Sequence, residues 1–467
     1  MAVLEFLKSL LTQPAWIMGI ISCVGLLALK KPFHKVLVGT LTPIMGYLML
    51  SAGAGVVETN LAPLSEMLQA GFHIEGIVPS NEAVISVAQD ILGVETMAIL
   101  ILGYVINLIV ARLTRFKYIF LTGHHSLIMA CLLCAVLQVS GFTGTGLVVV
   151  GGLFLGLLSA MVPALGQRLT LKVTGGEKVA MGHFGSMGYY VAGLVGMLVD
   201  KLSGPSGKSS AASAAEKKQQ EIPEKWSFLW DSMICTGLTM MVFYLVAAIA
   251  AGPEFVATLS EDHYIVYALT CALQFSVGVT VVCSGVGLIL QELLPAFEGI
   301  AAKVIPGAVP AVDCAVFFNY NKTAVLIGFL TSFVGGILSM FVIGVISGIY
   351  IIPGMAAHFF CGACAGIYGD ATGGKKGAVL GAFVHGVLIT IGPALLLPIL
   401  SSLGFPGTTF GDMDFTVVGI LIGNVYNLLG QAGIYGLLAI LGVTAFLPNF
   451  FMKKGHVIGC PDEGADA

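Results

Sequence analysis

Apolar stretches long enough to cross a hydrocarbon core of roughly 30 Å recur along the whole chain, at 14–29, 36–57, 95–111, 118–139, 146–165, 229–251, 263–290, 323–348, 350–368, 377–400 and 431–451. A backbone in lipid must satisfy its own hydrogen bonds, so eleven such runs predict a helical bundle that spans the membrane. Four further runs, 77–92, 179–199, 304–320 and 414–430, are apolar but interrupted by Gly, Pro or acidic residues. They read as re-entrant hairpins within an all-α integral membrane protein. The composition agrees: 57% of residues are apolar and only 10% charged, against about 25% charged in a soluble chain. With 21 Lys+Arg against 25 Asp+Glu, there is no basic surplus to neutralise a phosphate backbone, which excludes nucleic acid as a partner.

The distribution of positive charge tests the span count independently, because cytoplasmic loops carry the excess of Lys and Arg. Lys30, Lys31, Lys35, Arg112, Arg115, Lys117, Arg168, Lys172, Lys178, the lysines of 201–225, Lys303, Lys322, Lys375, Lys376, Lys453 and Lys454 all fall on one side. Only Lys8 dissents. The opposite loops, 58–76, 140–145, 252–262 and 401–413, contain no Lys or Arg. This predicts an external N-terminus that is not a cleaved signal peptide, a cytoplasmic C-terminus, and a multi-pass location in a plasma membrane.

One hydrophilic stretch, 203–227, is rich in Ser, Ala and Lys and has the composition of a flexible linker. It divides the chain into an N-terminal half, 1–202, and a C-terminal half, 228–452, followed by a tail, 453–467. At an offset of 232 residues the halves match at Gly53/Gly285, Gly55/Gly287, Leu61/Leu293, Pro63/Pro295 and Glu66/Glu298. Under the charge rule the two copies end on opposite faces, so the repeat is predicted to be inverted, as in carriers with a binding site near the midplane. The 61 glycines and 18 prolines suit helices that pack closely or break where they line a cavity.

Ionisable and polar residues at membrane depth are functional candidates by default, and they fall into three clusters. Glu58 precedes Ser80, Asn81 and Glu82 at the tip of the first hairpin, with Gln89 and Asp90 on its return arm. The second cluster is Thr122-Gly123-His124-His125 with Gly182-His183, and the third is the run Pro306 to Asp313 with Asn319. Imidazoles, carboxylates and amides that donate and accept hydrogen bonds suit the recognition of several hydroxyls, and broken-helix N-termini add N–H donors for an anionic group. Asn81 and Glu82 also fit ordinary helix capping, and His358, His385, Asp370, Asp414 and Asn424 fit hydrogen bonds between helices. Cys131/Cys134 and Cys361/Cys364 lie inside apolar runs, where cysteine usually packs rather than binds metal. No metal or other cofactor is expected.

Taken together, the Gly-x-Gly run at Gly53 to Gly55, TGH at Thr122 to His124, GH at Gly182-His183 and, above all, ELLPAFEGIAAKVIPGAVPAVDCA from Glu292 to Ala315 resemble the membrane (IIC) component of the ascorbate-type bacterial phosphotransferase system. The resemblance covers essentially the whole chain. It implies a homodimeric carrier of eleven spans, in which each protomer has a substrate-holding core domain and a V-shaped dimerisation domain. It also implies a cytoplasmic IIB protein that phosphorylates the incoming sugar acid and is recharged by IIA. Residue by residue, the resemblance implicates His124, His183 and Asp313, with Ser80, Asn81, Glu82, Gly53 and Gly55 nearby, and Glu58, Gln89, His125 and Asn319 as weaker candidates. The sequence departs from the glutamines that follow TGH and GH in such carriers: it reads HSLIMA after His124 and FGSMGYY after His183. No P-loop occurs, so the chain itself hydrolyses no nucleotide, and it is expected to carry no phosphorylated residue of its own. The competing reading is an ion-coupled carrier using Glu82 or Asp313.

Overall fold

In the computed structural model, residues 13–72, 77, 79, 81–203, 232–303, 305–348, 350–402, 409–453 and 455–461 are described. Ser80, the side chains of Glu58, Glu82 and Gln89, and nearly all of the 203–227 linker lie outside them. The helices are α1 (Pro14–Ala28), α2 (Phe33–Phe72), α3 (Asn81–Leu113), α4 (Gly123–Val139), α5 (Gly144–Thr174), α6 (Ser186–Leu202), α7 (Ser232–Ala251), α8 (Pro253–Val256), α9 (Tyr264–Lys303), α10 (Lys322–Ser347), α11 (Met355–Ser402), α12 (Met413–Phe446) and α13 (Pro448–Phe451). Six segments among the described residues are long and apolar enough to cross a membrane: Phe33–Gly53, Val94–Leu113, Gly144–Thr174, Lys322–Ser347, Ala357–Ser401 and Met413–Phe451.

Several boundaries differ from the sequence expectation. The return arm of the first hairpin and the following span form one continuous helix, α3. Interrupting a helix in an apolar medium strands backbone groups at several kcal/mol each, more than the roughly 1 kcal/mol penalty of Gly93 in mid-helix. The runs 350–368 and 377–400 are joined in α11 and separated only by a break at Gly373-Gly374, where Gly374 has φ 62°. The runs 414–430 and 431–451 are likewise joined in α12, with a break at Gly430, φ 61°. A left-handed residue interrupts the ladder at each point, and glycine adopts it without steric cost.

Close packing explains much of the glycine content. A Cβ on Gly328 of α10 would stand 2.3 Å from the Gly362 carbonyl of α11, so these helices meet backbone to backbone. One core gathers α2, α7, α9, α10 and α11 around Tyr244, Phe275, Phe329 and Phe359, and a second gathers α4, α5 and α12 around Phe154, Phe184 and Phe415.

A departure from the all-helical fold positions the site. Three short strands, β1 (Tyr118–Phe120), β2 (Ala180–Met181) and β3 (Val309–Val312), form a parallel sheet in the order β1-β3-β2. Phe120 pairs with Ala311 and Met181 with Val312. The free edge of β1 is closed by the buried Asn107 of α3, whose amide donates to the Tyr118 carbonyl at 3.0 Å and accepts from the Phe120 N–H at 3.1 Å. At the N-terminal end of the sheet, Lys117 Nζ donates to the Pro306 carbonyl at 2.7 Å. Burial, with Arg115 and Arg112 beside it, holds that ammonium below the usual lysine range.

Candidate functional site

Parallel strands present their C-terminal ends together, and here each strand is followed at once by one of the motifs. β1 runs into Thr122-Gly123-His124-His125 and the start of α4, β2 into Gly182-His183 ahead of α6, and β3 into Asp313 and a 3-10 turn, Cys314–Tyr320. The pairing continues one step past the strands: the Leu121 N–H donates to the Ala311 carbonyl at 2.9 Å, and the Gly182 N–H to the Val312 carbonyl at 2.7 Å. Histidines and a carboxylate nearly 190 residues apart in sequence are thereby gathered at one edge. Binding at the carboxyl ends of parallel strands is the general habit of such sheets.

His124 Nε2 stands 3.4 Å from Asp313 Oδ2, and both side chains are partly accessible. The other Asp313 oxygen accepts from the Ala315 N–H at 3.2 Å, so the carboxylate is oriented by the turn it caps. His125 and His183 are buried, with ring centroids 3.6 Å apart. Phe415 of α12 stacks on His125 at 5.6 Å.

The hydrogen bonds of His183 fix its chemistry. Its Nδ1 accepts from the Gly185 backbone N–H at 3.1 Å and lies 2.9 Å from the Tyr189 hydroxyl. A backbone amide can only donate, so Nδ1 is unprotonated and the imidazole is the neutral Nε2–H tautomer. The ring therefore offers one N–H donor. His183, Asp313 and Cys314 place potential ligand atoms within 4.8 Å of one another. However, an imidazole whose Nδ1 lone pair is engaged and whose Nε2 is protonated has no lone pair left for a metal.

The remaining candidates have other surroundings. Asn81 begins α3, and its amide donates to Asp412 Oδ2 at 2.7 Å and accepts from the Gly411 N–H at 3.0 Å. The other Asp412 oxygen accepts from Cys361 Sγ at 2.8 Å. Asn319 is exposed on the 3-10 turn. Gly53 and Gly55 lie within α2, and a Cβ on Gly55 would meet open space. His358 and His385 are buried and share the Ser332 hydroxyl, at 3.0 and 3.1 Å, as expected of hydrogen bonds between helices.

Sequence reasoning did not reach Tyr189 or the role of Asp414. Tyr189 carries no signal, being one of two adjacent tyrosines in an apolar helix. Asp414 does carry one, an acid inside an apolar run, but its partners at Ser186 and Met187 lie far away in sequence. Two buried polar atoms at the site, Thr122 Oγ1 and His125 Nδ1, have no hydrogen-bond partner among the described residues.

A family model described as PTS system sugar-specific permease component (EIIC-GAT) matches residues 9–414. A curated relative, the ascorbate-specific PTS system EIIC component of Mycoplasma pneumoniae, is 25% identical over 434 residues. That match covers 80% of this chain and 63% of the relative, so the chain spans less than two thirds of that protein's length.

Proposed function

Because the chain belongs to the sugar-specific permease component family of the phosphotransferase system, we propose that it is a multi-pass membrane carrier that takes up a sugar acid such as L-ascorbate, coupled to phosphorylation of the substrate by a separate IIB protein. The observation that carries this reading is the convergence of His124, His183 and Asp313 at the ends of three parallel strands. Asp313 supplies a carboxylate acceptor for hydroxyls, and His183 supplies an N–H donor. The N-termini of α4 and α6, which begin beside these residues, favour negative charge. Hydroxyls together with one anionic group describe a sugar acid. The ascorbate-specific naming of the Mycoplasma pneumoniae relative points the same way.

The site comprises His124, His183 and Asp313, with His125 and Thr122 against them and Ser80, Asn81, Glu82, Gly53 and Gly55 as further substrate-binding residues. The carrier is a homodimer of eleven-span protomers with a V-shaped dimer domain, an external N-terminus and a cytoplasmic C-terminus. An inverted repeat between the halves is supported by the bridge between Ile77 and Ile351. The 232-residue offset carries Ile77 onto Val309 and Ile351 onto Ile119; Val309 pairs with Tyr118, the neighbour of Ile119, so this bridge matches the β1–β3 pairing to within one residue of register.

Transport in vesicles tests the mechanism. Vesicles containing this chain alone should show only exchange or slow facilitated diffusion of radiolabelled L-ascorbate. Net accumulation should appear when IIB, IIA and a phosphoryl donor are supplied inside. Accumulation driven by a proton or sodium gradient without partners, and collapsed by an ionophore, would establish an ion-coupled carrier instead. Purified His124→Ala, His183→Ala and Asp313→Asn should each bind L-ascorbate at least tenfold more weakly, since two hydrogen bonds lost at about 1–3 kcal/mol each amount to one to three orders of magnitude or more.

A further inference from the structure

The buried carboxylate of Asp414 has no access to a ligand. It is 0% exposed, and both of its oxygens are engaged. Oδ2 accepts from Ser186 Oγ at 3.2 Å, and Oδ1 accepts from the Met187 N–H at 2.9 Å. Those donors form the first turn of α6, the helix that starts three residues after His183. The helix cap residue, Gly185, has no side chain with which to hold that turn, so a carboxylate from α12 takes the place of an N-cap.

The same turn holds His183 through three contacts. The Ser186 N–H donates to the His183 carbonyl at 3.0 Å. The Gly185 N–H and the Tyr189 hydroxyl, both within one helical turn of Ser186, meet His183 Nδ1. The group that fixes Ser186 and Met187 therefore also fixes the ring's orientation and its proton. We infer that Asp414 is the positioning residue of the site: by capping α6 from α12, it holds His183 as the Nε2–H donor facing the substrate. This inference rests on the reading above that His183 contacts the substrate.

The neighbouring groups leave Asp414 this role. Asp412 is engaged with Asn81 and Cys361, and His385 packs its ring against Gly188 with Nδ1 on Ser332. The hydrogen bonds described from α12 onto Ser186 and Met187 come from Asp414.

Imidazole nitrogen NMR of the full-length protein in detergent, with 15N-labelled histidine and His183→Ala for assignment, reads the inference without any ligand. Wild type should show a neutral His183 with the proton on Nε2 and a hydrogen-bonded Nδ1. Asp414→Ala should shift these resonances toward a mixture of tautomers. Binding of radiolabelled L-ascorbate should weaken by roughly 10- to 100-fold, the usual effect of removing an outer partner that orients a ligand-contacting group. Asp414→Asn should retain most of the affinity, since its amide oxygen can still accept from Met187. In a His183→Ala background, Asp414→Ala should cost nothing further, because non-additivity marks residues that act through one another.

Unchanged His183 resonances in Asp414→Ala, or an equal loss of affinity in both backgrounds, would overturn the inference. Where Asp414→Ala does not assemble, Asp414→Asn and Ser186→Ala decide it by the same spectrum, with a shift toward mixed tautomers in Ser186→Ala expected and an unchanged spectrum overturning it. Normal L-ascorbate binding by His183→Ala would remove the substrate-site reading, and the spectrum would still decide whether Asp414 orients the ring.

Discussion

Gly182→Ala should disable the site although it substitutes none of the ligand-contacting residues. Gly182 follows β2 and immediately precedes His183, and its N–H donates to the Val312 carbonyl at 2.7 Å. A Cβ at this position would lie 2.3 Å from the Ala311 carbonyl oxygen and 2.9 Å from the Val312 nitrogen. Ordinary contact begins near 3.4 Å, so the overlap is about 1.1 Å, and the obstacle is strand backbone with no rotamer to change. Relief requires β2 to move away from β3 by about that distance, at the expense of the Gly182–Val312 hydrogen bond. Overpacking at about 1–3 kcal/mol and one buried hydrogen bond at about 1 kcal/mol together give a destabilisation of about 2–4 kcal/mol. His183 moves with the strand, and a displacement of about 1 Å lowers substrate affinity on the order of 100-fold. Thermal unfolding in detergent and L-ascorbate binding measure the two effects. Gly436→Ala, in α12 with open space at its Cβ, is the control and should be neutral or slightly stabilising. Wild-type unfolding and wild-type affinity in Gly182→Ala would show that the strand contact does not hold His183 in place.

Asn107→Leu should destabilise the protein by about 2–5 kcal/mol, because it strands the Tyr118 carbonyl and the Phe120 N–H at the free edge of β1; a melting temperature equal to wild type would refute this. Ser332→Ala removes the hydroxyl shared by His358 and His385 and should lower stability by about 1–3 kcal/mol, with substrate affinity changed less than in Asp313→Asn; binding assays on the two variants compare them directly. Deleting 206–221 should leave membrane assembly and transport intact, because a Ser/Ala/Lys-rich stretch buries little apolar surface. Loss of assembled protein in the membrane fraction would show that this stretch is a docking element.

The sequence by itself determined the solvent and the class of fold, because transfer of an apolar side chain to lipid is a property of the residue and adds up along the chain whatever its neighbours are. It also singled out His124, His183 and Asp313, since an ionisable or polar residue in an apolar run is visible one residue at a time. Only the tertiary structure decided how these residues meet. Strands of two to four residues have no alternation to read, and Val309-Pro310-Ala311-Val312 looks as apolar as any span. These segments become strands only because each finds its backbone partner in a segment about 130 to 190 residues away. Asp414 was visible as an acid in an apolar run, but its partners on α6 lie some 230 residues earlier, and nothing local distinguishes a cap for another helix from a hydrogen bond within the bundle. The merging of 81–113 into one helix has the same origin: local glycine and acidic residues argued for a break, and the cost of exposing backbone groups in an apolar interior outweighed them.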